Sequence, residues 1–378
     1  MITLTFFGIL MLAIAVSLVD WRRGWILGIL CGVLQDPARK LTPGTPVEMN
    51  FSVLLVYLVI LFAAQRTLLR SRADIARRYP ALTAAFGLIL FCLALAAVNG
   101  VFTYGVEYWK VPALSLFIYL LPIPAVIIGY TYMRREEDLF AFFRYYSVLT
   151  CIAMIGTPLE YFRVNWRALG IVALPEGFIR YVPGLQIRIL AGFYRAGDIM
   201  AWHAAMLTII GITMSFRAGM IRKAWPWALV AGWGFLNCVI SGRRKAIYMV
   251  VVYVTVFLWR YIRRLAFGQV VAFAAVAIVM FGVVQKIGGN EEASVYTRGA
   301  TTTKDEVFER LEGGLRGTIE QFGFMGAGLG TATQGVRHLL GHDNNIGWQE
   351  GGLGKLAIEL GVPGLLASSI SAGSSSGC

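Results

Sequence analysis

Long apolar runs separated by short arginine clusters set the pattern of the chain. They fall at about 2–19, 51–65, 81–99, 112–131, 138–156, 197–216, 225–240, 246–259, 268–285 and 352–369. Most approach the roughly 20 residues that a helix needs to cross about 30 Å of hydrocarbon. Lipid offers no partner to a backbone N–H or C=O, so such runs are helical when they span. The pattern predicts an all-α, polytopic transmembrane helix bundle of about ten spans. The run Gly24–Leu34 is too short to cross and is flanked by Arg22, Arg23, Arg39 and Lys40, which predicts a short re-entrant or interfacial segment.

Two longer polar intervals, about 157–196 and 286–351, are predicted as outer loops of a single transmembrane domain over 1–366. In the second, Val307, Leu311, Leu315, Ile319 and Phe322 recur at three- and four-residue spacing, the mark of an amphipathic helix. Residues 367–378 turn abruptly to Ser, Gly and Ala and read as a truncated end. No basic residue precedes Ile2–Leu18 and no cleavage site follows, so this run is expected to be a retained helix.

Composition agrees with a bilayer as solvent: 57% of the 378 residues are hydrophobic and mean hydropathy is +0.67. The formal net charge of +13 is gathered at the ends of apolar runs, which points to anionic head groups and away from nucleic acid. Arg66, Arg70, Arg72, Arg77 and Arg78 form one cluster, Arg134 and Arg135 a second, Arg217, Arg222 and Lys223 a third, and Arg260, Arg263 and Arg264 a fourth. With the spans as drawn all four share one side, and the positive-inside bias makes that side cytoplasmic. Both termini are then cytoplasmic, although Arg22 and Arg23 oppose this at the first span. Cys31, Cys92, Cys151 and Cys238 lie within apolar runs without ligand spacing and are expected to be buried small side chains, so neither a disulfide nor a metal is expected.

The informative charges are those that break the orientation bias. Ser241-Gly242-Arg243-Arg244-Lys245 occupies a short outward hairpin between two runs. These cations either snorkel to head groups or bind a phosphate or pyrophosphate, for which the guanidinium fork is suited. Arg188 and Arg195 precede the run that opens at Gly197-Asp198, where Asp198 is placed to pair with Arg195. His203 lies inside a run and reads as a satisfied core histidine or a partner between helices. His338 and His342, near Asp343, Asn344, Asn345 and Glu350, read as a general base or as solvated loop. Gly326, Gly328 and Gly330 form a tight turn; no strand precedes them, which argues against a nucleotide loop.

In order and topology, three motifs resemble the O-antigen ligase and O-antigen polymerase superfamily of bacterial membrane glycosyltransferases. Arg188-Ile189-Leu190-Ala191-Gly192-Phe193-Tyr194 is similar to its Arg-x-x-Gly-aromatic stretch. Ser241-Gly242-Arg243-Arg244 is similar to its Ser-x-Ser-Arg turn, with Arg243 where the second serine would stand. Gly326-Ala327-Gly328-Leu329-Gly330, then His342-Asp343-Asn344 and Glu359-Leu360-Gly361-Val362-Pro363-Gly364, are similar to its glycine turn, His-Asn pair and Glu-x-Gly-x-x-Gly run, with Asp343 intervening before the asparagine.

The resemblance implies a multi-pass protein of the bacterial inner membrane with a large periplasmic loop before the last span. It also implies transfer of a saccharide from undecaprenyl diphosphate to an acceptor hydroxyl, on a glycan or a lipid-linked molecule, without metal or other cofactor. Arg188 and Arg244, with Arg243 and Arg195 nearby, would bind the diphosphate, and His342 or else His338 would assist the acceptor. Such a reaction belongs to polysaccharide and lipopolysaccharide biosynthesis in the cell envelope. The alternative is a transporter or flippase for an anionic lipid or solute, which favours charge at mid-span.

Overall fold

The computed structural model describes residues 2–46, 48–171, 178–182, 185–218, 221–261, 316–332 and 352–374. It is mostly helical. In order come α1 (Ile2–Val19), α2 (Trp21–Leu41), α3 (Met49–Arg78), α4 (Pro80–Tyr104), a 3-10 turn (Val106–Trp109), α5 (Lys110–Leu120), α6 (Pro122–Tyr132), α7 (Glu136–Ala153) and α8 (Gly156–Tyr161). Strands β1 (Phe178–Val182) and β2 (Leu185–Ile189) follow, then α9 (Gly197–Arg217), α10 (Ile221–Ile240), α11 (Arg244–Tyr261) and α12 (Gly352–Ser374). Among the described residues, six stretches are long and apolar enough to cross a membrane: Ile2–Val19, Met49–Arg78, Pro80–Tyr104, Val106–Tyr132, Glu136–Tyr161 and Gly197–Arg217. Large apolar side chains lie open on their flanks, Leu4, Phe62 and Phe102 among them, as expected of surfaces that face lipid. Helices also form at the predicted runs 225–240 and 246–259, and the run 352–369 is helical on either side of a break at Gly361 (φ 64°, ψ -163°). The predicted span 268–285, most of the loop 286–351, and both of its histidines lie outside the described residues.

Three elements differ from the sequence reading, each for a local reason. The apolar run Gly24–Leu34 does not stand alone, because α2 continues through Asp36 and Lys40, whose side chains are buried. The run 112–131 keeps its place within the candidate span Val106–Tyr132 but is interrupted at Leu121-Pro122, where Pro122 lacks an N–H and α5 gives way to α6. The interval 157–196 carries an antiparallel hairpin in which Phe178 pairs with Ile189 and Ile179 with Arg188, so the fold is not purely α.

The chain divides into two compact units, one of residues 1–64 and 133–302 and the other of 65–132 and 303–378. In the first, α1 and α2 form a helical hairpin about Asp20, whose carboxylate accepts the N–H groups of Arg22 and Arg23 at 3.0 and 3.4 Å and caps α2. The centre of this unit is α9. Of its apolar window 61% is buried, against 22–28% for the other five candidate spans. It owes this to small residues: a Cβ added at Gly211 would lie 2.6 Å from the Ala231 nitrogen, and one at Gly234 would lie 2.6 Å from Thr208 Oγ1. Backbones of α9 and α10 therefore approach closely, which is how apolar helices associate when lipid is as oily as their side chains.

In the second unit the glycine turn is inserted among α4, α5 and α12. The Leu329 N–H donates to the Ala96 carbonyl at 3.0 Å, Ala327 N–H to the Ile358 carbonyl at 2.7 Å, and Asn99 Nδ2 to the Gly326 carbonyl at 3.1 Å. The buried Glu359 carboxylate accepts the Tyr119 hydroxyl at 2.7 Å and the Ala332 N–H at 3.2 Å. The expected tight turn is thus present. Gly328 has φ +103°, and a Cβ there would lie 2.5 Å from Gly100 Cα. Gly323 has φ +72° with nothing within 4 Å of an added Cβ. Accordingly, Gly328→Ala is expected to destabilise by about 3 kcal/mol or more and Gly323→Ala by about 1 kcal/mol. Thermal unfolding in detergent measures the contrast, and equal losses would show that the Gly100 contact is not limiting.

Candidate functional site

The segment Ile189–Ala196 links the hairpin to α9 and is neither helix nor strand from Leu190 onward, so its buried backbone needs partners from elsewhere. Three charged side chains provide them. Glu160, in α8 and 4% exposed, accepts the N–H of Ala191 at 2.9 Å and of Gly192 at 2.6 Å on Oε2. Lys40, near the end of α2 and 2% exposed, donates from Nζ to the carbonyls of Gly192 at 2.8 Å and Tyr194 at 2.6 Å. Asp36, one helical turn before Lys40, accepts the Arg195 N–H at 2.9 Å.

Close backbone approach makes this possible. Gly192 has φ +57°, and a Cβ there would lie 2.7 Å from the Thr157 nitrogen. A Cβ at Gly156 would lie 2.7 Å from the Phe193 nitrogen. Only glycine at both places lets the segment lie against the start of α8. Behind it, the Tyr194 ring stacks on His203 at 5.0 Å, and His203 Nδ1 shares a hydrogen bond of 2.6 Å with the Tyr146 hydroxyl. His203 thus links α7 to α9, as one of its two sequence readings expected.

The arginines gather around this segment. Arg188, in β2, places its guanidinium 3.7 Å from Glu160 Oε1 and is 40% exposed. Arg243, in the turn between α10 and α11, pairs through Nε with Asp198 in the first turn of α9 at 2.9 Å. The Arg195 side chain is exposed, and its backbone is the part held by Asp36. Asp198 therefore pairs with Arg243 and not with Arg195, because the turn after α10 reaches the start of α9. Arg244 opens α11 beside Arg243, and its side chain lies outside the described part. At the other end of α9, Arg217 meets Glu136 at 3.1 Å and sits over the Phe140 ring. The 21 residues of α9 rise about 30 Å, so the two polar ends of this unit are one bilayer core apart.

Chemically, the arrangement is a cationic rim on a buried scaffold. Glu160, Asp36 and Lys40, together with Arg188, are formally neutral, which tempers the cost of burying charge. Burial pushes the Lys40 ammonium down to about 8, against the opposing pull of Asp36 and Glu160. Burial raises the Asp36 carboxyl above its ordinary value, partly countered by the Arg195 N–H and the nearby cations. The sequence reading missed Glu160 and Asp36 and used Lys40 only as a flanking charge. Asp36 and Lys40 stand at i and i+4 just past an apolar run, a spacing that places both on one helix face.

The Lys40 shift has a signed consequence. Its folded pKa lies below the unfolded value, so above about pH 8 the unfolded chain binds more protons and stability from this group rises with pH. Relative to Lys40→Met, the wild type is expected to gain about 1 kcal/mol per pH unit between pH 8 and about 10. Unfolding midpoints of both proteins across that range measure it, and parallel curves would show that Lys40 does not titrate there.

Compared with known proteins, the chain matches no family model, no curated protein and no solved structure.

Proposed function

We propose that the protein transfers a glycan from undecaprenyl diphosphate to an acceptor hydroxyl at the periplasmic face of a bacterial inner membrane, as an O-antigen polymerase or ligase does. One observation carries this reading. Arg188 and Arg243, from two motifs with all of α9 and α10 between them, and Arg195, the residue after the first motif, are brought to the same end of α9 beside a segment fixed by buried charges. In the proposed reaction the acceptor oxygen bonds to the anomeric carbon, the bond from that carbon to the diphosphate oxygen breaks, and undecaprenyl diphosphate leaves. A single direct attack inverts configuration. Guanidinium groups of Arg188 and Arg244, with Arg243 and Arg195 at the rim, neutralise charge that grows on the leaving oxygen, so no carboxylic acid is required to protonate it. The resemblance assigns the acceptor's proton to His342, with His338 as second choice; both lie outside the described residues.

The orientation follows the arginine clusters. Arg66, Arg70, Arg72, Arg77 and Arg78 occupy the final turns of α3, a helix of 30 residues and therefore about 45 Å long. In the proposed topology this end is cytoplasmic, while Lys304, within the loop 286–351, is periplasmic. Cysteines introduced as Arg72→Cys and Lys304→Cys report it. In intact spheroplasts a membrane-impermeant maleimide is expected to label position 304 and spare position 72; the reverse pattern overturns the orientation and the reaction with it.

Transfer itself is tested in nanodiscs with an undecaprenyl-diphosphate-linked oligosaccharide as donor. Arg188→Ala is expected to slow transfer by about 100-fold, and Arg244→Lys by about tenfold or more despite its retained charge, because the bidentate fork is lost. Arg72→Ala should stay within about twofold of the wild type. Undiminished transfer by Arg188→Ala and Arg244→Ala would remove the diphosphate site.

A further inference from the structure

The Glu160 carboxylate is held at a junction that no motif marks. One oxygen takes two successive backbone N–H groups, of Ala191 and Gly192, and the other faces the Arg188 guanidinium at 3.7 Å. The residue is nearly inaccessible, whereas Arg188 is 40% exposed, so the pair has an inner, fixed partner and an outer partner within reach of a ligand. The fixed partner is itself braced. Lys40 holds the Gly192 and Tyr194 carbonyls of the same segment, and Gly156 and Gly192 admit no side chain between that segment and α8.

We propose that Glu160 is the positioning residue for Arg188: it fixes the direction in which the guanidinium faces a diphosphate ligand, with Lys40 setting the height of the segment on which both depend. This rests on the diphosphate reading of the rim. The physical reason is preorganisation. An arginine side chain has several rotatable bonds, and a buried carboxylate beside it removes most of the wrong orientations before the ligand arrives. Glu160 also tempers the charge of Arg188, so the ligand meets a directed donor set. An alternative in which Glu160 merely satisfies backbone N–H groups predicts effects on folding that do not depend on Arg188.

Two measurements on the full chain in nanodiscs separate these possibilities and separate both from the diphosphate reading. The first is a double-mutant cycle on binding of undecaprenyl diphosphate. Glu160→Gln keeps an acceptor oxygen for the backbone and removes the charge; it is expected to weaken binding about tenfold in the wild-type background. On an Arg188→Ala background the same change should have less than about a twofold effect. Glu160→Asp, which keeps the charge on a shorter stem, should recover part of the affinity.

The second measurement needs no ligand. Modification of Arg188 by phenylglyoxal, followed peptide by peptide by mass spectrometry, is expected to be several-fold faster in Glu160→Gln, while Arg195 in the neighbouring segment reacts at an unchanged rate. Equal effects of Glu160→Gln with and without Arg188, together with unchanged Arg188 reactivity, overturn the positioning role. If wild-type protein fails to bind undecaprenyl diphosphate while Arg188 reactivity depends on Glu160, the positioning holds and the diphosphate reading falls. Should Glu160→Gln not fold, Lys40→Met replaces it, since that change leaves the Glu160–Arg188 pair chemically intact and loosens the segment. Weakened binding in Lys40→Met that persists on the Arg188→Ala background would also count against action through Arg188.

Discussion

A loop cannot lie inside a membrane protein unless something accepts and donates every hydrogen bond that water would have made. Between the hairpin and α9 that constraint is met by Glu160, Lys40 and Asp36, which take the polar groups of Ala191, Gly192, Tyr194 and Arg195. The remaining features of this end of the unit follow from it. Glycine is needed at positions 156 and 192 because charged side chains reach the backbone only if the backbone comes close. With the segment fixed, Arg188 enters from one side and the start of α9 leaves on the other, where Asp198 receives Arg243.

The same logic explains why α9 sits at the centre. In water, an apolar helix is buried by the hydrophobic effect; in lipid that force is lost, and close fit replaces it. Gly211 and Gly234, with Thr208 and Ala231 facing them, give α9 and α10 that fit. The arginine-bearing turn after α10 is carried to the first turn of α9 as a result. Helix packing and site geometry are in this sense one feature, since widening the α9–α10 contact would move Arg243 away from Asp198.

The spacing of apolar runs located the helices well, because length and freedom from charge are direct physical requirements of a span. Gly326, Gly328 and Gly330 were legible as a turn for a comparable reason: three alternate glycines have little other use. The hairpin is less visible although Pro183-Gly184 stands between runs rich in β-branched and aromatic residues, since a long polar interval between spans has the pattern of a loop. Glu160 was invisible as a functional residue. Its partners are backbone groups about thirty residues away, and backbone groups leave no mark in a sequence. Arg188 and Arg243 could be singled out because they oppose the orientation bias, but nothing in the sequence said which carboxylate each would meet.

The reach of Lys40 has a consequence for biogenesis. Its acceptors, the carbonyls of Gly192 and Tyr194, lie 152 and 154 residues further along the chain. At a synthesis rate of about 5–20 residues per second, roughly 8–30 s separate their appearance. During that interval α2 has been delivered to the membrane without the groups its ammonium will hold, and a long aliphatic stem lets the charge rest among head groups in the meantime. Its contacts with Gly192 and Tyr194 therefore close only after the segment leading into α9 has been made, so the fixing of α2 against that segment is a late step.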